Sequence, residues 1–157
     1  MSSTLKKVAK EYPVVLVHGP RQSGKTTICR AVFSDKPYVS MENPDTRSRA
    51  LEDPRGFLAD FPNGVILDEI QRTPNLLSYM QQIVDEKKQN GFFILTGSDN
   101  FSLQQITSQS LAGRIALLTL LPFSMKEIKS ETWLTGTDKR ILYGGYPRLI
   151  TETPDRT

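Results

Sequence analysis

The chain has 157 residues, of which 38% are hydrophobic and 24% charged, the composition of an ordinary soluble globular protein and not of a disordered one. Its formal net charge of +3 permits an acidic partner without requiring one. One cysteine and one histidine exclude an internal disulfide framework and a metal site built from several such residues. The first seven residues contain no apolar signal core, and the apolar run at 115–121 is too short to cross a bilayer, so we expect a cytoplasmic chain with no membrane partner.

Short apolar runs alternate with polar stretches of helical character along the chain. The run at residues 14–17 is rich in valine and does not alternate with polar residues, which is typical of a strand buried on both faces of a parallel sheet. The predicted strands lie at residues 14–17, 38–41, 65–67, 92–95 and 115–120. The predicted helices lie at residues 25–33, 44–52, 54–61, 74–88 and 125–130. This alternation predicts an α/β fold, a three-layer α/β/α sandwich with a parallel five-stranded sheet.

A glycine-rich segment follows the first predicted strand and fits the spacing G-x-x-x-x-G-K-[ST]. Its glycines let backbone N–H groups turn inward around a polyphosphate, and the next helix points its positive end at the same anion. In this pattern Lys25 reaches the β- and γ-phosphates, and the hydroxyl of Thr26 coordinates Mg²⁺. The alternative is a glycine turn with an incidental lysine. The predicted nucleotide-binding residues are Gly19, Pro20, Arg21, Gln22, Ser23, Gly24, Lys25, Thr26 and Thr27.

Two acids end the third predicted strand. Asp68 is predicted to hold Mg²⁺ together with Thr26. Glu69 projects in a different direction because successive strand residues diverge, and it is the candidate base or water-orienting group for the γ-phosphate. Without the preceding phosphate cradle, the same pair would be interpreted as a helix cap or a solvated turn.

Two further polar positions are candidates for contact with the γ-phosphate. Thr96 or Ser98 follows the fourth apolar run, where a hydroxyl can hydrogen-bond the attacking water or the phosphate; the alternative is a hydroxyl that closes a strand end. Arg114 precedes the last predicted strand and could stabilise charge on the transferring phosphoryl group, from the same chain or from a neighbour. Surface arginine is common, so a purely structural role for Arg114 stays open.

Six segments together resemble one family: GPRQSGKTT, VILDEIQ, FFILTGS, SLAGRI, LLPFSMKEI and GGYPRL. The chain is similar, over residues 12–149, to the AAA+-type P-loop ATPases of bacteria and archaea that carry a nuclease-like C-terminal domain of unknown role. The resemblance implies the P-loop NTPase fold with strand order 5-1-4-3-2. It also implies a sensor role for Thr96, a phosphate-facing or neighbour-facing role for Arg114, and assembly into a homo-oligomer. Because the family continues beyond GGYP, we expect an ATPase domain at residues 1–150 and a tail at 151–157 that begins a missing C-terminal region.

These observations predict a domain that binds ATP and Mg²⁺ and hydrolyses the β–γ phosphoanhydride by water attack. Lys25, Glu69, Thr96 and Arg114 are the candidate catalytic residues, and Thr26 and Asp68 the metal ligands. ATP is favoured over GTP because no N/T-K-x-D segment that reads guanine occurs. The alternative is a nucleotide-gated switch or binding module with negligible hydrolysis in isolation, part of a DNA-associated or defence protein. The weak net charge gives little support to nucleic acid as a partner.

Overall fold

The computed structural model describes residues 1–98, 110–124, 127 and 145–147. The predicted helix at residues 125–130 falls outside this part of the chain except for residue 127, and the predicted tail at 151–157 falls outside it entirely. Among the described residues, no helix is both long and apolar enough to cross a membrane.

The described residues form five strands and five α-helices that alternate along most of the chain. The strands are β1 (Val14–Gly19), β2 (Tyr38–Ser40), β3 (Val65–Asp68), β4 (Phe93–Ser98) and β5 (Ile115–Thr119). The α-helices are α1 (Ser2–Glu11), α2 (Lys25–Val32), α3 (Pro44–Glu52), α4 (Pro54–Ala59) and α5 (Leu76–Lys87). A short 3₁₀ helix at Ile70–Arg72 follows β3.

All strand pairs in the sheet are parallel. The order is β2-β3-β4-β1-β5, which is the predicted order 5-1-4-3-2 read from the other edge and confirms the α/β fold. β1 lies between β4 and β5, with Val17 opposite Thr96, and all six of its residues are buried. Because the strands are parallel, the segments that follow β1, β3 and β4 all lie at the carboxyl ends of the strands, on the same side of the sheet.

The two faces of the sheet are covered by different helices. On one face, α3, α4 and α5 pack against alternate strand residues to form the larger core, which includes Leu16, Leu67, Leu95, Met80 and the fully buried Ile70. On the other face, α1 and α2 form a smaller core that includes Leu5, Cys29, Val15, Val17 and Ile66. The result is the predicted three-layer sandwich, in which helices shield both faces of a parallel sheet.

Side-chain caps begin the two short polar helices at their predicted positions. Oδ1 of Asn43 accepts hydrogen bonds from the backbone N–H groups of Asp45 and Thr46, and Pro44 occupies the first turn of α3. Asp53 ends α3 and caps α4 by accepting from the N–H of Gly56 at 2.9 Å. Helix α1 was not among the predicted helices, although Leu5 and Ala9, four residues apart, carry its buried face.

Candidate functional site

The loop between β1 and α2 depends on glycine at both of its ends. At Gly19 an added Cβ would lie 2.1 Å from the carbonyl oxygen of Leu120, a separation that real atoms do not reach. Gly24 caps α2 with φ of 92°, a left-handed conformation that side chains disfavour. The two glycines therefore let the backbone fold back on itself directly before the positive end of the helix.

Lys25 is the first residue of α2, and its side chain folds back into the loop. The residue is only 4% exposed, and its Nζ donates to the carbonyl oxygens of Gly19 at 3.0 Å and Pro20 at 2.7 Å. Oγ of Ser23 is buried and has no hydrogen-bond partner within the described part of the chain. A buried cation beside an unsatisfied hydroxyl fits a cradle for an anion.

Asp68 at the end of β3 contacts hydroxyl groups from three different elements. Thr26 Oγ1 donates to its Oδ1 at 2.9 Å, and the hydroxyl of Thr96 in β4 donates to the same oxygen. Tyr38 Oη in β2 donates to Oδ2 at 2.8 Å. Burial, followed by this hydrogen bond to Asp68, raises the pKa of Tyr38 to about 12, so its hydroxyl remains a donor at neutral pH. The structure thus brings the two predicted metal ligands into direct contact.

Glu69 occupies a left-handed backbone conformation, with φ of 57° and ψ of 48°, between β3 and the 3₁₀ helix. Its backbone N–H donates to Oγ1 of Thr96 at 3.3 Å. Its carboxylate accepts from Nε2 of Gln71, and from the hydroxyl of Ser98 at 3.4 Å. Thr96 therefore touches both acidic residues, and Ser98 reaches the second one, whereas the expected contact of either hydroxyl with the γ-phosphate stays a prediction.

Arg114 does not reach this site within one chain. Its carbonyl oxygen accepts from the N–H of Val14, which places it at the amino end of β1, whereas the phosphate loop begins at the carboxyl end. The strand between them spans about 16 Å. Its guanidinium forms two hydrogen bonds with Asp85 in α5, at 2.5 and 2.9 Å. This position corrects the expectation that Arg114 faces the phosphate of its own chain; a role toward a neighbouring molecule stays a prediction.

A cleft of about 740 Å³ lies along the loop. Residues 22–27 and Glu69 are part of its lining, together with apolar side chains. The apolar lining includes Ile28, Leu120, Leu121, Phe123 and Pro147. A cleft of this size with both polar and apolar lining suits a ligand with a charged and an aromatic part.

The oxygen donors of Thr26 and Asp68 fit magnesium better than a transition metal. Within the described residues, no cluster of three or more histidine, cysteine, aspartate or glutamate side chains could hold a metal unaided. Thr26 and Asp68 offer a hydroxyl and a carboxylate, hard oxygen ligands of the kind that hold Mg²⁺ together with waters and phosphates.

Sequence reasoning did not identify Tyr38 or Gln71 as site residues. Tyr38 begins the second predicted strand, and its neighbourhood to Asp68 follows only once β2 is known to pair with β3. Gln71 lies in a 3₁₀ turn that folds back toward Glu69, and no local sequence pattern predicts this turn.

Two curated relatives are similar to this chain over most of its length and are themselves longer. Uncharacterized proteins of Mycobacterium tuberculosis and Mycobacterium bovis are each 34% identical to it over 152 residues. The match covers 96% of this chain but 33% of each relative, so the chain spans about a third of their length.

Several solved structures share the fold at low sequence identity. The Walker-type ATPase of Pyrococcus abyssi superposes with a TM-score of 0.60 at 20% identity, covering 95% of this chain and 64% of that one. AMPPCP-bound DnaA from Aquifex aeolicus gives 0.60 at 14% identity, covering 94% and 55%. RuvB of Thermotoga maritima gives 0.53 at 21% identity, covering 82% and 47%.

The family comparison covers most of the chain. A family model described as an AAA domain matches residues 11–129, which include the phosphate loop, both acidic residues and all five strands. With the sheet order and the loop geometry, this match establishes an AAA-type P-loop ATPase domain, and the chain belongs to the AAA domain family.

Proposed function

We propose that this domain binds ATP with Mg²⁺ and hydrolyses the β–γ phosphoanhydride by direct attack of water. The observation that carries the proposal is the 2.9 Å contact between Thr26 Oγ1 and Asp68 Oδ1, made beside the buried Lys25. A hydroxyl and a carboxylate from distant parts of the chain meet at the start of a helix whose loop is shaped for phosphate.

Each residue of the site has a distinct proposed role. Lys25 neutralises charge on the β- and γ-phosphates. Thr26 and Asp68 would hold Mg²⁺, which when bound would neutralise further phosphate charge. The carboxylate of Glu69 accepts a proton from water as the water oxygen bonds to the γ-phosphorus and the bond to the bridging oxygen breaks. Thr96, in contact with both acids, responds to the presence of the γ-phosphate.

The apolar residues that line the cleft support a nucleotide base next to the phosphate loop. Leu120, Leu121 and Phe123 offer a surface on which an aromatic base can pack. The absence of a guanine-reading segment from the sequence favours adenine, and DnaA of Aquifex aeolicus, which shares the fold, has been solved with AMPPCP bound.

A second candidate function is a nucleotide-gated switch that hydrolyses slowly by itself. The position of Arg114 favours it, because the arginine expected to stabilise phosphoryl charge is hydrogen-bonded to Asp85 at the far end of the sheet. In this version a second copy of the chain supplies the missing cation, and turnover depends on assembly.

Calorimetry with ATP and with ADP, each with and without Mg²⁺, tests binding. We expect saturable binding that is stronger for ATP with Mg²⁺, and absence of binding would remove both candidates.

Steady-state phosphate release at increasing protein concentration separates the two candidate functions. A constant rate per molecule supports hydrolysis by the single chain, whereas a rate that rises with concentration supports the assembly-dependent switch.

A further inference from the structure

Three side chains form a closed set of hydrogen bonds at the carboxyl end of β4. Gln71 Nε2 donates to Oε2 of Glu69 and to Oγ of Ser98, the second bond measuring 2.7 Å. Ser98 Oγ donates to the same Oε2 at 3.4 Å. Every hydrogen bond that the described residues make to the Glu69 carboxylate thus falls on Oε2, and Glu69 lines the cleft beside the phosphate loop.

The backbone holds Glu69 from the other side. Its left-handed conformation is uncommon for a residue with a side chain and persists only where the surroundings impose it. The N–H of Glu69 donates to Thr96 at 3.3 Å, so the residue is fixed at its main chain by β4 and at its carboxylate by Gln71.

The amide of Gln71 faces Glu69 at a cost to its own hydrogen bonding. Its carbonyl oxygen Oε1 is buried and has no partner among the described residues. A rotated amide would present an oxygen to the carboxylate and would be repelled, so the charged acceptor decides the orientation. The charged acceptor Glu69 therefore fixes which way the Gln71 amide points.

We propose that Gln71 is a positioning residue for ATP hydrolysis, which holds Oε2 of Glu69 against Ser98 so that Oε1 is the oxygen that accepts the proton of water. This inference rests on the proposed function of Glu69. Gln71 makes no contact with nucleotide in this role. Removal of its amide is therefore expected to change the rate of the chemical step rather than the binding of ATP.

The substitution Gln71→Glu tests this role with almost no change of shape. It replaces the donor with a second carboxylate, which repels Glu69 and turns it away from Ser98. We expect kcat to fall about tenfold or more while KM and ATP affinity stay unchanged. The matched control is Gln82→Glu, because Gln82 also donates to a glutamate, Glu86, at 3.1 Å, but on the exposed surface of α5. The control should keep the wild-type kcat.

Three further measurements keep the proposal testable. Gln71→Leu removes the donor without adding charge and should lower kcat in the same way if Gln71→Glu does not fold. In a Glu69→Gln background, Gln71→Leu should cause no further loss, because the two residues act as one unit. Ser98→Ala should cause a smaller loss than Gln71→Leu. Folding of each variant is checked by its thermal midpoint.

The outcomes separate this inference from the proposed function. If the wild type hydrolyses ATP and both Gln71→Glu and Gln71→Leu keep its kcat, the role of Gln71 is overturned and the ATPase proposal stands. A loss of ATP affinity that parallels the loss of kcat shows a structural role and also overturns it. A wild-type protein that releases no phosphate at any concentration removes both proposals.

Discussion

Thr26 and Asp68 are separated by 42 residues in the sequence, yet Oγ1 of the first donates to Oδ1 of the second at 2.9 Å. Thr26 lies in the first turn of α2, and Asp68 ends β3, two strands away from the strand that precedes the loop. Helix α2 contacts β1, β4 and β3, and its first turn lies against the carboxylate that ends β3. The same arrangement brings Lys25 and Glu69 to one cleft.

Replacing Lys25 by alanine should abolish most of the affinity for nucleotide. The buried ammonium is the principal positive charge within the loop, and its loss leaves the phosphates opposed only by backbone N–H groups. We expect ATP affinity to fall by about tenfold or more in calorimetry. Lys6→Ala, on the exposed face of α1, should bind like wild type. Unchanged binding in the Lys25 variant would contradict the cradle assignment.

Glu69→Gln should retain bound ATP and lose turnover. The amide keeps the size of the side chain but cannot accept a proton from water, which removes about a hundredfold or more of the rate. Phosphate release and ATP binding measured on the same sample give the two readouts. The matched control Glu86→Gln changes an exposed glutamate of α5 and should leave both unchanged. Undiminished phosphate release would remove Glu69 from the mechanism.

Tyr38→Phe should raise the Mg²⁺ concentration needed for half-maximal ATP binding by about tenfold. The hydroxyl donates to Oδ2 of Asp68 at 2.8 Å, and without it this carboxylate loses one of the groups that orient it. Tyr79→Phe in α5 is the control, and its Mg²⁺ requirement should match that of wild type. An equal requirement in the Tyr38 and Tyr79 variants would show that Tyr38 has no part in holding Asp68.

Gly19→Ala and Gly113→Ala compare two glycines with positive φ. At Gly19 a Cβ would meet Leu120 at 2.1 Å, whereas at Gly113, with φ of 74°, it would meet nothing within 4 Å. We expect the Gly19 variant to lower the thermal midpoint strongly and to lose ATP binding, because the loop and the end of β5 must separate. The Gly113 variant should lose only about 1 kcal/mol to backbone strain. Equal thermal shifts would contradict this difference.

Arg114→Ala and Asp85→Asn should behave alike. Each removes the same exposed ion pair, which joins the residue before β5 to α5. We therefore expect a small and similar decrease of the thermal midpoint in both variants and an unchanged phosphate release rate in dilute protein. Measuring that rate at rising protein concentration extends the comparison. A loss of any concentration-dependent increase in the Arg114 variant alone would show that Arg114 acts on the phosphate of another copy.

The ion pair between Arg114 and Asp85 should make the stability of the protein depend on pH, with a defined sign. The hydrogen bond from Arg114 lowers the pKa of Asp85 below its ordinary value of 3.8. The pair therefore contributes stability above about pH 3.8, and this contribution is lost as the pH falls through the lowered pKa. The difference in thermal midpoint between wild type and Arg114→Ala should disappear in acid. A difference that persists there would have another origin.

The elements that sequence predicted well are those specified by local pattern. The valine-rich β1, the capped helices α3 and α4 and the phosphate loop carry their signals within a few residues. Strand order is not local, and here it came from the resemblance to a family. β4 extends through Ser98, beyond the predicted end at residue 95, because Thr96 and Ser98 pair with Val17 and Gly19 of β1.

Arg114 shows which information was present in the sequence and which was missing. In parallel sheets, functional side chains follow the strands, at their carboxyl ends. Arg114 precedes β5, so its position at the amino ends of the strands agrees with that rule. Its partner Asp85 could not be identified, because the pairing depends on how α5 packs across the sheet. Tyr38 and Gln71 were missed for the same reason, since each reaches an acidic residue through tertiary contact.

The two halves of the site are supported by different hydrophobic cores. Lys25 and Thr26 begin α2, whose Cys29 packs in the smaller core, whereas Glu69 is followed directly by Ile70, which is fully buried in the larger one. Weaker side-chain packing around Ile70 would therefore lower the rate of the proposed hydrolysis before it lowers the affinity for nucleotide. Weaker packing beneath α2 would lower the affinity first. Affinity and rate can accordingly diverge through ordinary core substitutions far from any ligand.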